Sequence, residues 1–160
     1  MKLTFFGIEF FALLMSCISV FSAIFFSLSQ QKHNKNSVKP ICEIILGDYE
    51  NKIEVRLENV GTGPLIIKEL RCIKNDTTQS NLMHYLPRYN NYDVFVEEIN
   101  DRTIPVNGRI VLVSCSDPPE EIKKCLRASL KDVKISVEYV DIYGSQFTRS
   151  RELDFFGRTL

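Results

Sequence analysis

Two histidines stand in the 160-residue chain, and nucleophilic catalysis of the Ser-His-Asp or Cys-His kind must recruit one of them. His33 lies in a polar run, and His84 in a segment rich in Tyr, Asn and Pro. No G-x-S-x-G elbow, which would raise a serine on a strained turn, is present. GTGP at 61–64 lacks the G-x-x-x-x-G-K-[ST] spacing whose amides cradle phosphate. The pairs Glu97/Glu98 and Glu120/Glu121 have the groups for proton transfer, but adjacent surface carboxylates are ordinarily just solvated. No C-x-x-C or H-x-x-x-H pair offers metal ligands, so Cys72, His84, Cys115 and Cys125 would have to converge by folding alone. The D-x-D-x-D-G pattern for calcium is missing too. The expectation is a chain without catalytic residues, metal or cofactor.

Recognition chemistry is better represented. In NLMHYLPRYNNYDVF, Tyr85, Tyr89 and Tyr92 flank Arg88, and these residue types are enriched at binding hot spots. Pro87 removes a backbone donor and Asn90-Asn91 favours a turn, so the segment reads as a long connection, where binding residues gather. The competing reading makes the three rings a lid over the core. Twenty basic residues balance twenty acidic ones. That balance lacks the basic excess of a nucleic-acid binder, so no nucleic-acid partner is expected.

An apolar stretch precedes all of this. From Phe10 to Ser29 no residue is charged, and seven of the eleven phenylalanines lie between Phe5 and Phe26. A helix needs roughly 20 apolar residues to cross the bilayer core, so residues 1–29 are expected to form one transmembrane anchor in the cell membrane. A cleaved secretory signal competes, with Lys2 as its charged start and Ser27 and Ser29 at the cleavage positions. The run is longer than the usual stretch of about 7–15 residues in such signals, which favours the anchor. Lys32, Lys35 and Lys39 after the span outnumber Lys2 and the amino terminus before it, favouring a cytoplasmic carboxyl-terminal domain over a periplasmic or extracytoplasmic one. Ala12, Ser16, Ser19, Ala23 and Ser27 form a small-residue stripe through which two copies of the span would approach closely, making a homo-oligomer.

Residues 30–40 (QQKHNKNSVKP) read as a polar tether. Beyond them, residues 41–160 show period-two alternation in short runs. In KIEVRLENV, Ile53, Val55 and Leu57 face one way and Glu54, Arg56 and Glu58 the other. In DVKISVEYV, Val133, Ile135, Val137 and Tyr139 point inward. Further strands are expected near 41–46, 65–72, 94–98, 109–115 and 146–155, about seven in all. Turn residues separate them: GDYEN at 47–51, GTGP at 61–64 (glycines supplying positive φ), Asn107-Gly108 and Tyr143-Gly144-Ser145. Such a set points to an all-β, immunoglobulin-like antiparallel β-sandwich. One short helix interrupts it in SDPPEEIKKCLRASL, with Asp117 as N-cap, Pro118 at the first position, and Ile122, Cys125, Leu126 and Leu130 on the apolar side.

With these runs in view, IILGDYENKIEVRLENVGTGPLIIKEL, VEYVDIYG and LDFFGR resemble a loose group of small bacterial proteins having one amino-terminal span and a β-sandwich domain. The resemblance covers most of residues 40–160, implies anchor and fold, and supplies no catalytic residues. Cys42, Cys72, Cys115 and Cys125 leave two states open: two disulfides in an exported domain, in one of three pairings, or four buried thiols in a reducing compartment. Asn75-Asp76-Thr77 is a sequon that matters only in a secretory pathway. The expected function is a membrane-anchored interaction module bound to an unidentified protein partner, a non-catalytic subunit of a membrane complex. The alternatives are an effector that oligomerises and perturbs the bilayer, and an exported ligand-binding accessory domain. If the span inserts, Val20→Arg should abolish integration, because a central charge costs about 2.5–3.5 kcal/mol on insertion scales. Fractionation of the variant, recovered soluble rather than in the membrane pellet, checks this.

Overall fold

The computed structural model describes residues 2–158, with side chains from Glu9 to Arg158. It divides into two compact units that meet in the chain between Ser37 and Val38. The first is the helix α1 (Lys2–Ser37). From Glu9 onward it contains an 18-residue stretch with a mean hydropathy of 2.3, none of which is buried. By length and composition it could cross a membrane as an anchor, and a signal sequence has the same character. The helix runs on through residues 30–37, where the sequence suggests a tether. Elongation of an existing helix needs no new nucleus, and these residues include no proline or glycine. Pro40 disfavours helical backbone at Lys39, so the helix stops short of it.

The second unit is built from two antiparallel sheets. β1 (Cys42–Asp48), β2 (Lys52–Asn59), β5 (Val94–Phe95) and β7 (Arg109–Ser116) form one, in the order β1-β2-β7-β5. β3 (Leu65–Lys74), β4 (Thr77–Gln79), β8 (Lys134–Val140) and β9 (Gln146–Glu152) form the other, in the order β4-β3-β8-β9, with β6 (Thr103–Ile104) also paired to β3. The seven expected strands are all present, although β5 is shorter than expected. The two further ones, β4 and β6, are too short for alternation to reveal. One hydrophobic core takes Ile44, Val55 and Leu112 from the first sheet and Ile67, Ile135 and Val137 from the second. The Cys42 N–H donates to the Tyr139 hydroxyl across the sheets at 3.3 Å. Along the β1 and β9 edges, Arg151 donates to the Ile44 carbonyl at 2.7 Å, occupying a group that would otherwise invite strand pairing.

Asn59 closes one end. Its side chain is fully buried. Oδ1 accepts from the Gly61 and Ile41 amides at 3.0 and 3.3 Å. Nδ2 reaches the carbonyls of Gly63, Ile104 and Pro105 at 2.8, 3.1 and 3.3 Å. Val38–Ile41 is pressed against the GTGP turn, with the Thr62 amide on the Lys39 carbonyl at 3.0 Å. A Cβ on Gly61 would overlap the Lys39 carbonyl oxygen, and one on Gly63 that of Val38. Neither glycine has a positive φ, so close backbone approach rather than turn conformation requires them.

Helix α2 (Glu120–Leu130) closes the opposite end. It begins after Pro119 with no side-chain cap, and Asp117 has a φ of 47°, so the expected Asp117 cap does not form. Pro119 keeps Pro118 out of helical backbone, which delays the start. Leu126 and Leu130 are buried as expected, but Cys125 is exposed and Lys123 takes the inner position, its ammonium on the Glu50 carbonyl. Arg127 forks onto Asp48, at 2.9 Å from each carboxylate oxygen. Lys74 donates to the Ser129 carbonyl at 2.6 Å, so the helix is bound to both sheets.

The alternation holds where it is clearest in the sequence. Ile53, Val55, Leu57, Ile135 and Val137 are all buried. Glu54, which the pattern places outward, is nevertheless 5% exposed. β2 lies between β1 and β7, and Lys52 and Arg56, two residues away on the same face, fold over the carboxylate. Burial pushes its pKa up, but the bonds from Lys52 and Arg56 outweigh that and hold it below the ordinary value. Asn59→Ala should cost about 3 kcal/mol or more, since it strands buried amides and carbonyls together. Urea unfolding of the variant, with the midpoint lowered and the slope unchanged, checks this.

Candidate interaction surface

The connection between β4 and β6 contains the tyrosines. It leaves the second sheet, makes a 3-10 turn at Leu82–Tyr85, joins the first sheet as the edge strand β5, and returns as β6. Leu82, Leu86 and Ile99 are its buried residues and belong to the core. Apolar residues spaced this way draw the loop down over the open side of the two sheets, because leaving them in water would forgo about 1.5–3 kcal/mol each.

Tyr85, Tyr89 and Tyr92 are all half-buried and packed against that core, so none is an exposed ring. The Tyr85 hydroxyl lies 2.8 Å from the Thr77 carbonyl and 3.2 Å from that of Cys72, fastening the loop to the β3–β4 hairpin. Tyr92 donates to the Pro87 carbonyl at 2.8 Å. Tyr89 meets Tyr92 edge to face, with centroids 5.8 Å apart. Burial, with Cys115 and Tyr89 nearby, pushes the Tyr92 phenol up to about 12. Below, Asp93 accepts from Ser114 at 3.1 Å, and its carboxyl is held below the ordinary value, mainly by a hydrogen bond from Ser116.

What this surface offers a partner is therefore narrower than the sequence suggests. Arg88 is exposed, the tyrosines are only half-buried, and Val94 and Phe95 stand 42% and 50% exposed on β5. The sequence pattern places Val94 and Phe95 in a strand and does not mark them for binding. What exposes them is their place on a two-residue edge strand, which has no outer layer to cover it.

Elsewhere, the groups considered for chemistry stand apart. His84 is exposed on the 3-10 turn and His33 on α1. Glu97, Glu98, Glu120 and Glu121 are exposed. Cys42 and Cys72 are free buried thiols pushed up to about 12 by burial, and Cys115 is raised for the same reason. A protonated thiol in an apolar site is a poor nucleophile. Among the described residues, no three His, Cys, Asp or Glu side chains are grouped to hold a metal ion. On α1, Ala12, Ser16, Ser19, Ala23 and Ser27 are exposed and share an arc of roughly 80° at 3.6 residues per turn. Ser19 donates to the Met15 carbonyl at 2.8 Å within the helix.

No protein-family model matches the chain, and no curated protein matches it. Arg88→Ala should leave the melting temperature unchanged, whereas Tyr92→Ala should lower stability by about 2–4 kcal/mol through lost packing. Thermal melts of the two variants separate the exposed residue from the packed one.

Proposed function

We propose that this chain is a single-pass membrane protein whose immunoglobulin-like sandwich binds another protein on the cytoplasmic side, as a non-catalytic subunit of a membrane-associated complex. The observation that carries the reading is α1, which from Glu9 contains an 18-residue stretch of mean hydropathy 2.3 with none of it buried. A surface of this kind needs lipid, or a second helix in lipid, around it. Two antiparallel sheets sharing one core, with the chain crossing between them, support the immunoglobulin-like description.

The partner surface proposed is the lid between β4 and β6, with Arg88 as its exposed charge and the half-buried Tyr85, Tyr89 and Tyr92 around it. Rings already held by packing lose little freedom on contact, which suits recognition. The small-residue arc of α1 is proposed as the face for a second copy of the helix. Lys32, Lys35 and Lys39 favour the cytoplasmic orientation of the domain.

The test begins with alkaline carbonate extraction of membranes containing the full chain. Retention in the pellet with residues 1–29 intact is expected; release, or a mature terminus near Gln30, overturns the anchor. A reporter active only outside the cytoplasm, fused after Leu160, should stay silent. Crosslinking in membranes should then capture a partner with the native chain and lose it with Arg88→Ala.

A further inference from the structure

The two ends of the domain differ in kind. At the end closed by Asn59, the exposed tips come from four separate segments: Ile41, Val60, Val106, and Ile142 with Tyr143. Each of these five is between 44% and 53% exposed. They share one end because the strands bring them there. The Val60 amide donates to the Ile41 carbonyl at 2.9 Å, and the Asn107 amide to the Asn59 carbonyl at 3.0 Å. β8 runs up beside β3 to the Ile66–Val140 pair, next to the Leu65–Ile104 pair of β3 and β6, so the turn after β8 projects past it.

Charge is almost missing from these tips. In residues 38–41, 60–64, 105–108 and 141–145 the ionisable side chains that bear charge are Lys39 and Asp141. Asp141 is 4% exposed, its carboxylate accepting from the Tyr143 and Ser145 amides at 2.8 Å. Lys39 is exposed, with its ammonium 5.2 Å from the Phe147 ring centre. The opposite end, closed by α2, exposes Glu50, Asp76, Asp117, Lys131 and Asp132. An exposed apolar set drawn from four segments at one end marks a contact surface rather than scattered surface residues.

The course of the chain limits what can cover these tips. Ile41 is four residues beyond Ser37, the last residue of α1, and the chain leaves the domain toward α1 at this apolar end. From Leu28, the last apolar residue of the span, to Ile41 the chain reaches at most about 25–30 Å, taking helical rise to Ser37 and extended chain beyond. That reach exceeds the headgroup layer, roughly 5–8 Å deep on each side, so the tips can lie against it without strain in the chain. Lys32, Lys35 and Lys39 lie along the same stretch and suit anionic headgroups.

We infer that Ile41, Val60, Val106, Ile142 and Tyr143 form a lipid-contacting end that seats the domain on the surface of the bilayer that α1 spans. This rests on the reading of α1 as a membrane anchor. Aliphatic tips enter the boundary between headgroups and acyl chains, and the tyrosine lies at the depth where amphipathic rings collect. The domain is then held with α2 pointing away from the membrane and the tyrosine lid at its side, open to a partner.

The chain contains no tryptophan, so a single introduced one reports its own surroundings. Full-length Ile142→Trp, and separately Val106→Trp, would be reconstituted in vesicles of phosphatidylcholine with anionic phosphatidylglycerol. Tyr49→Trp at the far end is the reference. Urea melts of each variant establish that the domain is folded, and carbonate extraction in parallel reports integration. The expected result is a blue-shifted emission from the Ile142→Trp and Val106→Trp variants that brominated acyl chains quench, with Tyr49→Trp neither shifted nor quenched. An integrated chain whose two tip positions fluoresce as in water overturns lipid contact and leaves the anchor standing. A blue shift that brominated lipid does not quench means that protein covers the tips, and overturns it as well. Release of the chain by carbonate overturns both readings.

Discussion

The buried side chain of Asn59 is the interaction on which one whole end of the domain depends. An amide out of water must have both its oxygen and its nitrogen satisfied, and here the partners come from segments far apart in the chain: Ile41 and Gly61 to Oδ1, and Gly63, Ile104 and Pro105 to Nδ2. Apart from Ile104 at the end of β6, those partners are backbone groups of irregular segments, which have no ladder to complete them. The side chain thus substitutes for secondary structure where β1, β2, β3 and β6 converge. Its consequence reaches the glycines beside it, because segments drawn this close leave no room for a Cβ at Gly61 or Gly63.

The far end is joined by charge. Asp48, at the hinge of the β1–β2 hairpin, receives the Arg127 guanidinium, while the Glu50 carbonyl takes the Lys123 ammonium and the Ser129 carbonyl that of Lys74. Pairs of this sort contribute modestly to stability when partly solvated, but their directionality places α2 across both sheets rather than along one of them. Between the ends, Leu82, Leu86 and Ile99 draw the long connection onto one side, and Arg151 blunts the edge on the other.

This division bears on function. The chain departs for α1 from the apolar end, the charged end is the opposite end of the domain, and the half-buried tyrosines belong to the side. On the proposed reading, each surface of the domain has a different neighbour: lipid at the Asn59 end, solvent beyond α2, and a protein partner at the lid. A long loop packed so firmly is a preformed surface, and preformed surfaces lose less ordering entropy when they bind.

Local periodicity was enough for the apolar helix and for the longer strands, since the residues that declare them are neighbours. Twenty uncharged residues from Phe10 to Ser29 and the alternation of Ile53, Val55, Leu57 and of Ile135, Val137, Tyr139 need no knowledge of what lies opposite. The candidate surface was legible only as a segment and a set of residue types; how far each ring is buried depends on Leu82 and Leu86 beside it and on Thr77 and Cys72 across from it. Tertiary structure likewise decided that Glu54 is covered, that Lys123 rather than Cys125 faces inward, and that Gly61 and Gly63 serve close approach. In each case the deciding partner lies on another segment, and burial and hydrogen bonding are properties of that meeting, whereas periodicity belongs to the chain itself.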